Sequence, residues 1–244
     1  MSGKSISIII PVFNEEKLIA GTVSQFDGVF RNGFDAQLIV SDGGSTDNSV
    51  NLIKEKVDIL VKHNKNYRQN ISEGRNLGFH ASSGDVLVFF NADTYVEDMN
   101  EFMKRALKVL EDEDTAAIAC PVKVFPGEEK LKDRVFHFLY NNYVRFLNFA
   151  VMGMGRGECH IVKRKMFEKA GGYDEKLGAG EDFDLYKRLR KFGRIKYCRD
   201  LIVYESPRRY RKYGYTRVFF DWAKNSVWIT LFSKSISKEW EAVR

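Results

Sequence analysis

The sequence is poor in cysteine and proline, and it has no long apolar segment. Its 244 residues include three cysteines and four prolines. Because Cys120, Cys159 and Cys198 form no Cys-x-x-Cys pair, neither a disulfide framework nor a zinc site is expected, and buried reduced thiols are expected instead. No uninterrupted apolar run approaches the roughly 18–20 residues that cross a bilayer. No membrane-spanning helix is therefore expected.

Composition and charge narrow the classes of function. The chain is 44% hydrophobic and 30% charged, which is typical of a globular protein rather than a disordered one. Its net charge of +6 fits nucleic acid, an anionic membrane surface or phosphorylated substrates. No basic segment is interleaved with aromatic residues in the pattern of a nucleic-acid-binding module, so nucleic acid is not an expected partner.

The first residues lead almost directly into an apolar segment, Ile6–Ile10. No signal peptide is expected for that reason. We therefore expect a cytoplasmic protein, and attachment to the inner face of the cell membrane stays open.

Short apolar segments alternate with segments of helical period through the first half of the chain. This alternation predicts an α/β fold with a mostly parallel central sheet and helices on both of its faces. The predicted strands are Ile6–Ile10, Leu38–Val40, Ile59–Val61, Val86–Phe90 and Ala116–Cys120.

The second half is less regular and is predicted to carry the acceptor-binding parts without a second core. Glu181–Phe192 has helical spacing, with Phe192 on its inner face. Val135–Met154 is rich in aromatic residues, and Arg217–Phe232 has the pattern of an amphipathic helix. Trp and Tyr beside Lys and Arg suit a membrane interface. Packing across a homodimer, or against the domain itself, is the alternative.

Polar side chains follow three of the predicted strands. In an open α/β sheet, ligands bind at the carboxyl ends of the strands. Asp42 follows the second strand, where Gly43 and Gly44 let the backbone approach a ligand closely. The Asp42 carboxylate could accept hydrogen bonds from a base or a ribose. Alternatively, Asp42 and Ser45 only cap the turn and the helix that follows it.

The segment Asn91-Ala92-Asp93 follows the strand Val86–Phe90 and is a candidate metal site. Mg²⁺ and Mn²⁺ favour a hard carboxylate ligand, use few protein carboxylates and complete their shell with water and substrate phosphates. Asn91 offers an amide to a ribose hydroxyl. The alternative is an ordinary turn, in which Asn-x-Asp is common.

Two adjacent acids, Glu181 and Asp182, begin the predicted helix Glu181–Phe192. The helix dipole stabilises negative charge at this end, which is a sufficient structural reason for both. The functional interpretation is that Asp182 projects into a cleft and acts as general base toward an acceptor hydroxyl.

Basic side chains supply further candidates. Arg75, Arg208 and Arg209 could make bidentate contacts with phosphate oxygens, although most arginines are solvated surface residues. His160 comes two residues after Glu158 and could line an acceptor pocket. A single histidine is more often structural than a ligand.

Taken in chain order, these motifs resemble those of family 2 glycosyltransferases with the GT-A fold. The resemblance spans residues 5 to about 205, and the ordered set is far more specific than any one motif. The motifs are Pro11-Val12-Phe13-Asn14-Glu15, Asp42-Gly43-Gly44-Ser45-Thr46-Asp47, Gly74-Arg75-Asn76-Leu77-Gly78, Ser83-Gly84-Asp85, Asn91-Ala92-Asp93, Gly171-Gly172-Tyr173-Asp174 and Glu181-Asp182.

The resemblance implies an organisation and an activity. It implies a Rossmann-like GT-A domain over residues 1–205, with a nucleotide-binding half to about 95 and an acceptor half over about 96–205. A basic, amphipathic helical extension would follow over residues 206–244. The implied activity is inverting transfer of a sugar from a nucleotide-diphosphate sugar to a hydroxyl of a glycan or lipid-linked acceptor.

The resemblance also implies a role for each candidate residue. Asp182 would be the catalytic base, and Asp93 would hold Mg²⁺ or Mn²⁺. Glu158, His160 and Glu181 would lie on the acceptor side. The nucleotide and its diphosphate would contact Pro11, Phe13, Glu15, Asp42, Arg75, Asn91 and Asp93.

Two departures from the family pattern matter. Asn91 stands in place of the first acid of the Asp-x-Asp motif, so metal binding is expected to survive but weaken. The Gln-x-x-Arg-Trp motif of processive polysaccharide synthases is absent, which favours transfer of a single sugar over polymerisation.

Two other functions stay open from the sequence. A glycoside hydrolase would use paired acids, but it needs neither Asp42 nor a nucleotide pocket. A non-catalytic sugar-nucleotide or glycan binding protein could retain the same fold, and Asn91 gives that alternative some support. A dinucleotide dehydrogenase is disfavoured because no Gly-x-Gly-x-x-Gly follows the first strand.

Overall fold

The computed structural model describes residues 3–150 and 152–232. Within these residues it contains ten strands and ten helices. The strands are β1 (Ile6–Val12), β2 (Ala36–Asp42), β3 (Ile59–Lys62), β4 (Val86–Phe90), β5 (Thr94–Tyr95), β6 (Thr115–Ala119), β7 (Val122–Val124), β8 (Cys159–Lys163), β9 (Arg194–Tyr197) and β10 (Val203–Glu205). The helices are α1 (Ile19–Ser24), α2 (Gly28–Gly33), α3 (Ser49–Ile53), α4 (Ile71–His80), α5 (Met99–Val109), α6 (Leu131–Phe149), α7 (Arg164–Ala170), α8 (Glu181–Leu189), α9 (Arg208–Tyr213) and α10 (Tyr215–Phe232).

The five predicted apolar strands join β8 and β9, which were not predicted, in one seven-stranded sheet with the order β3-β2-β1-β4-β8-β6-β9. Strand β8 runs antiparallel to both of its neighbours, and the other four pairings are parallel. A parallel sheet covered on both faces needs strands that are apolar on both sides. Strand β4 meets this need, since all five of its residues are buried. The predicted α/β fold with a mostly parallel sheet is confirmed.

Successive residues of the central strands enter two different cores, as the two-residue period of a strand requires. Ile8 and Val88 pack in a core with residues of α1, α2 and α5. Ile9, Leu87 and Phe89 pack on the opposite face with residues of α6, α7, α8 and α10. The helices that cover the second face therefore come mainly from the less regular half of the chain.

A small three-stranded sheet, with the order β5-β10-β7, connects a late segment of the chain to the segment that follows β4. Strand β10 pairs antiparallel with β5 and parallel with β7. Glu205 lies opposite Thr94 in this pairing. Because Thr94 directly follows Asp93 and Glu205 precedes Arg208 by three residues, the pairing brings a late segment of the chain to the end of β4.

Two local predictions are wrong. Ser45 does not cap a helix: α3 begins at Ser49, and the Ser45 hydroxyl instead accepts a hydrogen bond from the Asn14 backbone N–H at 2.8 Å. Phe192 does not face inward, because α8 ends at Leu189 and leaves Phe192 41% exposed in the turn before β9.

The predicted C-terminal helix over Arg217–Phe232 is confirmed as part of α10. Of the predicted extension, residues 233–244 lie outside the described residues.

Candidate active site

The loops after β1 and β2 are locked together by Asn14. This residue has a φ of 52°, a left-handed conformation that asparagine adopts more readily than most residues. Its side-chain oxygen accepts a hydrogen bond from the Thr46 N–H at 2.7 Å. The N–H of Glu15 donates to the Ser49 hydroxyl at 2.7 Å. The two motifs therefore form one wall, and the wall carries the Glu15 carboxylate.

A cavity of about 220 Å³ lies at the carboxyl ends of β1, β2 and β4. This is the edge of an α/β sheet at which ligands bind. Among the residues that line it are the predicted Pro11, Phe13, Glu15, Asn91, Asp93 and Glu158, together with Gly43, Gln69, Arg208 and Trp222.

A second cavity, of about 80 Å³, adjoins the first. Asp182 and Glu181 line it from the start of α8. Both cavities contact Asn91 and Glu158, so these two residues stand between the compartments. The structure thus brings the end of β4 and the start of α8 to one continuous site.

Arg75 lies inside the wall between the cavities rather than on an open surface. Its side chain is 0% exposed. The guanidinium donates to Glu181 Oε1 at 2.8 Å, to Asn91 Oδ1 at 3.0 Å and to the Gly157 carbonyl at 2.6 Å. Arg75 was predicted to lie near the nucleotide or its diphosphate; in the structure it lines the smaller cavity and joins Asn91 to Glu181. The Asn91 side-chain oxygen is consequently engaged by Arg75.

The Asp93 carboxylate faces a positive charge at the edge of the larger cavity. Arg208 Nη2 lies 3.1 Å from Asp93 Oδ2 and 3.0 Å from Glu15 Oε2. Burial raises the pKa of Asp93, and the neighbouring Arg208 acts in the opposite direction. Burial is the larger of the two effects, so the pKa of Asp93 is raised although the Arg208 guanidinium lies against its carboxylate.

Asp93 and Glu15 both offer hard carboxylate oxygens to the larger cavity, which are ligands that a divalent cation could use. Within the described residues, no group of three or more His, Cys, Asp or Glu side chains is placed to hold a metal ion. A cation at Asp93 would complete its shell with water and substrate phosphates, which is the coordination that Mg²⁺ adopts in many nucleotide sites.

The surroundings of Asp182 raise the pKa of its carboxyl group. Asp182 lies two residues after Gly180, which caps the start of α8 and has a φ of 78°. The Asp182 carboxylate accepts a hydrogen bond from the Phe183 N–H at 2.8 Å. Burial, and then the negative charge of Glu181, raise the pKa of Asp182 to about 7. A carboxylate with a pKa near neutrality is a stronger base than an ordinary aspartate and is still partly deprotonated at pH 7.

A buried ionic network in the walls of the two cavities was missed from the sequence, apart from Glu158. Arg156 donates to Glu158 at 3.1 Å and to Glu205 at 3.0 Å, and the Tyr210 hydroxyl donates to Glu205 at 2.7 Å. Burial and the charge of Glu158 raise the pKa of Glu205 well above its ordinary value. Arg156 and Glu205 are 49 positions apart in the sequence, so no local pattern indicated their contact. Trp222, which lines both cavities, was recognised only as part of an amphipathic helix.

Two predicted site residues lie away from both cavities. His160 is 0% exposed, and its Nδ1 lies 2.6 Å from the Tyr173 hydroxyl in the core of the sheet. This corrects the expectation that His160 lines an acceptor pocket. Asp42 is buried and accepts a hydrogen bond from the Ser45 N–H at 3.0 Å. In this structure Asp42 stabilises its own turn, and the neighbouring Gly43 lines the cavity.

Comparison with known proteins adds sequence relatives to this geometry. Residues 7–171 match the model for glycosyl transferase family 2. The probable glycosyltransferase YdaM of Bacillus subtilis is 26% identical over 242 residues, which cover 93% of this chain and 56% of that protein. A dolichyl N-acetyl-alpha-D-glucosaminyl phosphate 3-beta-D-2,3-diacetamido-2,3-dideoxy-beta-D-glucuronosyltransferase of Methanococcus voltae is 33% identical over 110 residues, 42% of this chain and 33% of that protein. The chain thus spans about half of the first relative's length and a third of the second's.

Solved structures agree on the fold. The mannosyltransferase PcManGT from Pyrobaculum calidifontis, in complex with GDP-Man and Mn²⁺, has a TM-score of 0.70 at 19% identity, with 92% of this chain and 62% of that chain covered. Glucosyl-3-phosphoglycerate synthase from Mycobacterium tuberculosis, in complex with Mn²⁺, UDP and glucosyl-3-phosphoglycerate, has a TM-score of 0.63 at 17% identity, with 95% of this chain and 80% of that chain covered. The family match covers more than half of the chain, and the predicted resemblance is confirmed: this chain belongs to glycosyl transferase family 2 and has the GT-A fold.

Proposed function

We propose that this enzyme moves one sugar, with inversion, from a nucleotide-diphosphate sugar to a hydroxyl of a glycan or lipid-linked acceptor, assisted by Mg²⁺ or Mn²⁺. The observation that carries the proposal is the pair of adjoining cavities, one lined by Asp93 and the other by Asp182. Neighbours with nucleotide and Mn²⁺ bound support the donor class. A relative named undecaprenyl-phosphate 4-deoxy-4-formamido-L-arabinose transferase, 32% identical over 97 residues, supports a lipid-phosphate-linked acceptor.

The larger cavity suits the nucleotide and its diphosphate. Pro11 and Phe13 provide an apolar wall, and the Arg68 guanidinium lies 5.0 Å from the centre of the Phe13 ring. Arg208 and Arg209 border the same cavity with planar groups that bind phosphate oxygens well. The chemistry that a divalent cation supplies when bound at this site is neutralisation of the charge on the leaving diphosphate.

The smaller cavity suits the reacting acceptor. Asp182 would take the proton of the acceptor hydroxyl. At the same time the hydroxyl oxygen would bond to the anomeric carbon of the sugar, and the nucleoside diphosphate would leave. Base and leaving group must lie on opposite sides of that carbon for inversion. The positions of Asp182 and Asp93 in different compartments support this arrangement.

Family membership removes the glycoside hydrolase and disfavours a non-catalytic binding protein. We also propose a cytoplasmic site of action, where nucleotide sugars would be available to the enzyme. Among the described residues, no helix combines the length and apolar character needed to cross a bilayer.

A thermal-shift screen with UDP-, GDP- and dTDP-sugars, each with Mn²⁺ or with EDTA, tests the donor part of the proposal. We expect at least one nucleotide sugar to raise the melting temperature, and we expect Mn²⁺ to enlarge that rise, because a cation between Asp93 and the diphosphate links protein to ligand. Slow release of free sugar from the stabilising donor would report turnover. The absence of stabilisation by every nucleotide sugar would refute the proposal.

A further inference from the structure

Helix α6 has two faces of different character. Tyr140, Val144 and Leu147 point into the core beneath the sheet. The opposite side of the helix is apolar as well, although it does not contact the core. Its exposed apolar residues lie mostly three or four positions apart, as one stripe of a helix does: Leu131, Val135, Phe138, Leu139, Tyr143, Phe146 and Phe149.

The exposure of this stripe is high. Phe138 is 67% exposed, Phe146 is 62% exposed and Phe149 is 85% exposed. Of the fourteen large hydrophobic residues exposed in the described chain, seven lie on α6. Scattered exposed hydrophobic residues are normal, whereas a contiguous apolar patch marks a surface that binds something.

The charges around the stripe are positive. Lys132, Arg134 and Arg145 are exposed on α6. The one acidic residue of the helix, Asp133, is buried and paired with Arg211. Arg134 also pairs with Glu129, just before the helix, so part of its charge is neutralised locally. The exposed side of α6 itself therefore combines aromatic and aliphatic residues with cations and no acid.

We propose that this face of α6 docks in the interface of an anionic lipid bilayer. Helices that lie in a membrane interface combine an apolar face with flanking Lys and Arg, and the cations are attracted to anionic headgroups. A second copy of the chain is a poorer occupant. A symmetric contact would bring two surfaces of like charge together, and the exposed side of α6 contains no acid to pair with Lys132 or Arg145.

Docking here would place the lipid surface beside the acceptor cavity. Tyr140, on the inner side of α6, lines the smaller cavity, and its ring centre lies 5.1 Å from that of Trp222, which lines both cavities. A lipid-linked acceptor would therefore be presented to Asp182 from the bilayer. This connection to the acceptor rests on the proposed function, whereas the docking surface rests on α6 alone.

Co-sedimentation with vesicles tests the docking surface without any donor or turnover. We expect the purified chain to sediment with vesicles of phosphatidylcholine mixed with phosphatidylglycerol, to bind pure phosphatidylcholine more weakly, and to be partly released by salt. The double variant Phe138→Ser, Phe146→Ser should lose at least about tenfold in partition coefficient. Arg145→Glu should lose about fivefold or more on the mixed vesicles alone.

Phe192→Ser is the matched control, because Phe192 is another exposed phenylalanine that lies outside α6. It should bind vesicles as the unmodified chain does, and all variants should keep their melting temperature within a few degrees. Equal vesicle binding by the double variant and the unmodified chain would overturn the proposal. Light scattering that finds a dimer for the unmodified chain and a monomer for the double variant would also overturn it, in favour of a second copy.

Discussion

Arg208 Nη2 lies 3.1 Å from the carboxylate of Asp93, although the two residues are 115 positions apart in the sequence. The pairing of β10 with β5 produces this contact, because it places the segment after Glu205 beside the end of β4. Asp93 is the carboxylate proposed to hold the divalent cation. Arg208 and that cation would therefore compete for one side chain until the diphosphate arrives and offers Arg208 phosphate oxygens instead.

Replacement of Arg208 by glutamine should strengthen Mn²⁺ binding in the absence of nucleotide. A partly exposed ion pair is worth up to about 1 kcal/mol, which corresponds to about a fivefold decrease in the Kd for Mn²⁺. Calorimetric titration of the nucleotide-free protein with Mn²⁺ measures this Kd. Arg209→Gln, which removes a second arginine from the larger cavity but keeps the contact of Arg208 with Asp93, should have a smaller effect. Weaker Mn²⁺ binding by the Arg208 variant would show that Arg208 does not compete with the ion.

Asp182→Asn should abolish most of the transfer while leaving donor binding intact. General-base catalysis contributes about 10²–10⁴ in rate, so kcat should fall by that factor. The asparagine is nearly isosteric, and Asp182 lines only the smaller cavity, so nucleotide-dependent thermal shifts should persist. Asp184→Asn is a control on the same helix, since Asp184 pairs with Arg188 and lines neither cavity. Turnover by the Asp182 variant at the original rate would rule out its role as base.

The pH profile should report the raised pKa of Asp182. Because the base must be deprotonated, kcat/KM should rise with pH and level off above about 7. Glu181→Gln removes the negative charge that helps to raise this pKa. The rise should therefore move to lower pH in that variant. An unmoved or upward-shifted profile would contradict the assignment of this limb to Asp182.

Gly84→Ala should destabilise the fold strongly, whereas Gly21→Ala should not. A Cβ on Gly84 would lie 2.6 Å from the backbone of Ile6 and Ser7 in the central strand β1, which cannot yield. We expect a loss of about 2–3 kcal/mol in the free energy of unfolding. A Cβ on Gly21, inside α1, meets nothing within 4 Å, and alanine there should gain about 0.5–1 kcal/mol. Urea denaturation measures the free energy of unfolding of both variants. Equal values for Gly84→Ala and Gly21→Ala would contradict the packing described around Gly84.

Five of the seven strands of the sheet were predictable because local pattern marks them, whereas β8 and β9 were not predicted. Val86–Phe90 is apolar at every position, which indicates burial on both faces whatever the rest of the chain does. The positions of Asn91 and Asp93 followed from the same segment, since polar residues directly after a parallel strand must lie at its ligand-binding edge. Both line the larger cavity.

Side-chain partners were not predictable in the same way. Arg75 gave no signal that distinguished a buried residue from an exposed one, and it is fully buried because Glu181, 106 positions later, and Asn91 surround its guanidinium. Ser45 is a residue type that often caps helices and lies where a cap was expected. Its hydroxyl instead accepts a hydrogen bond from the Asn14 backbone N–H. The competing partner in each case lies on another element.

By itself, the sequence determined the alternation of strands and helices, the family motifs and the set of acids available for chemistry, because each of these depends on residues close together along the chain. Only the tertiary structure decided that Arg208 faces Asp93, that His160 and Asp42 lie away from the cavities, and that Asp182 has a pKa near neutrality. Burial and electrostatic interaction depend on distances in space, and in this fold those distances are set by strand pairings between segments up to about 110 residues apart.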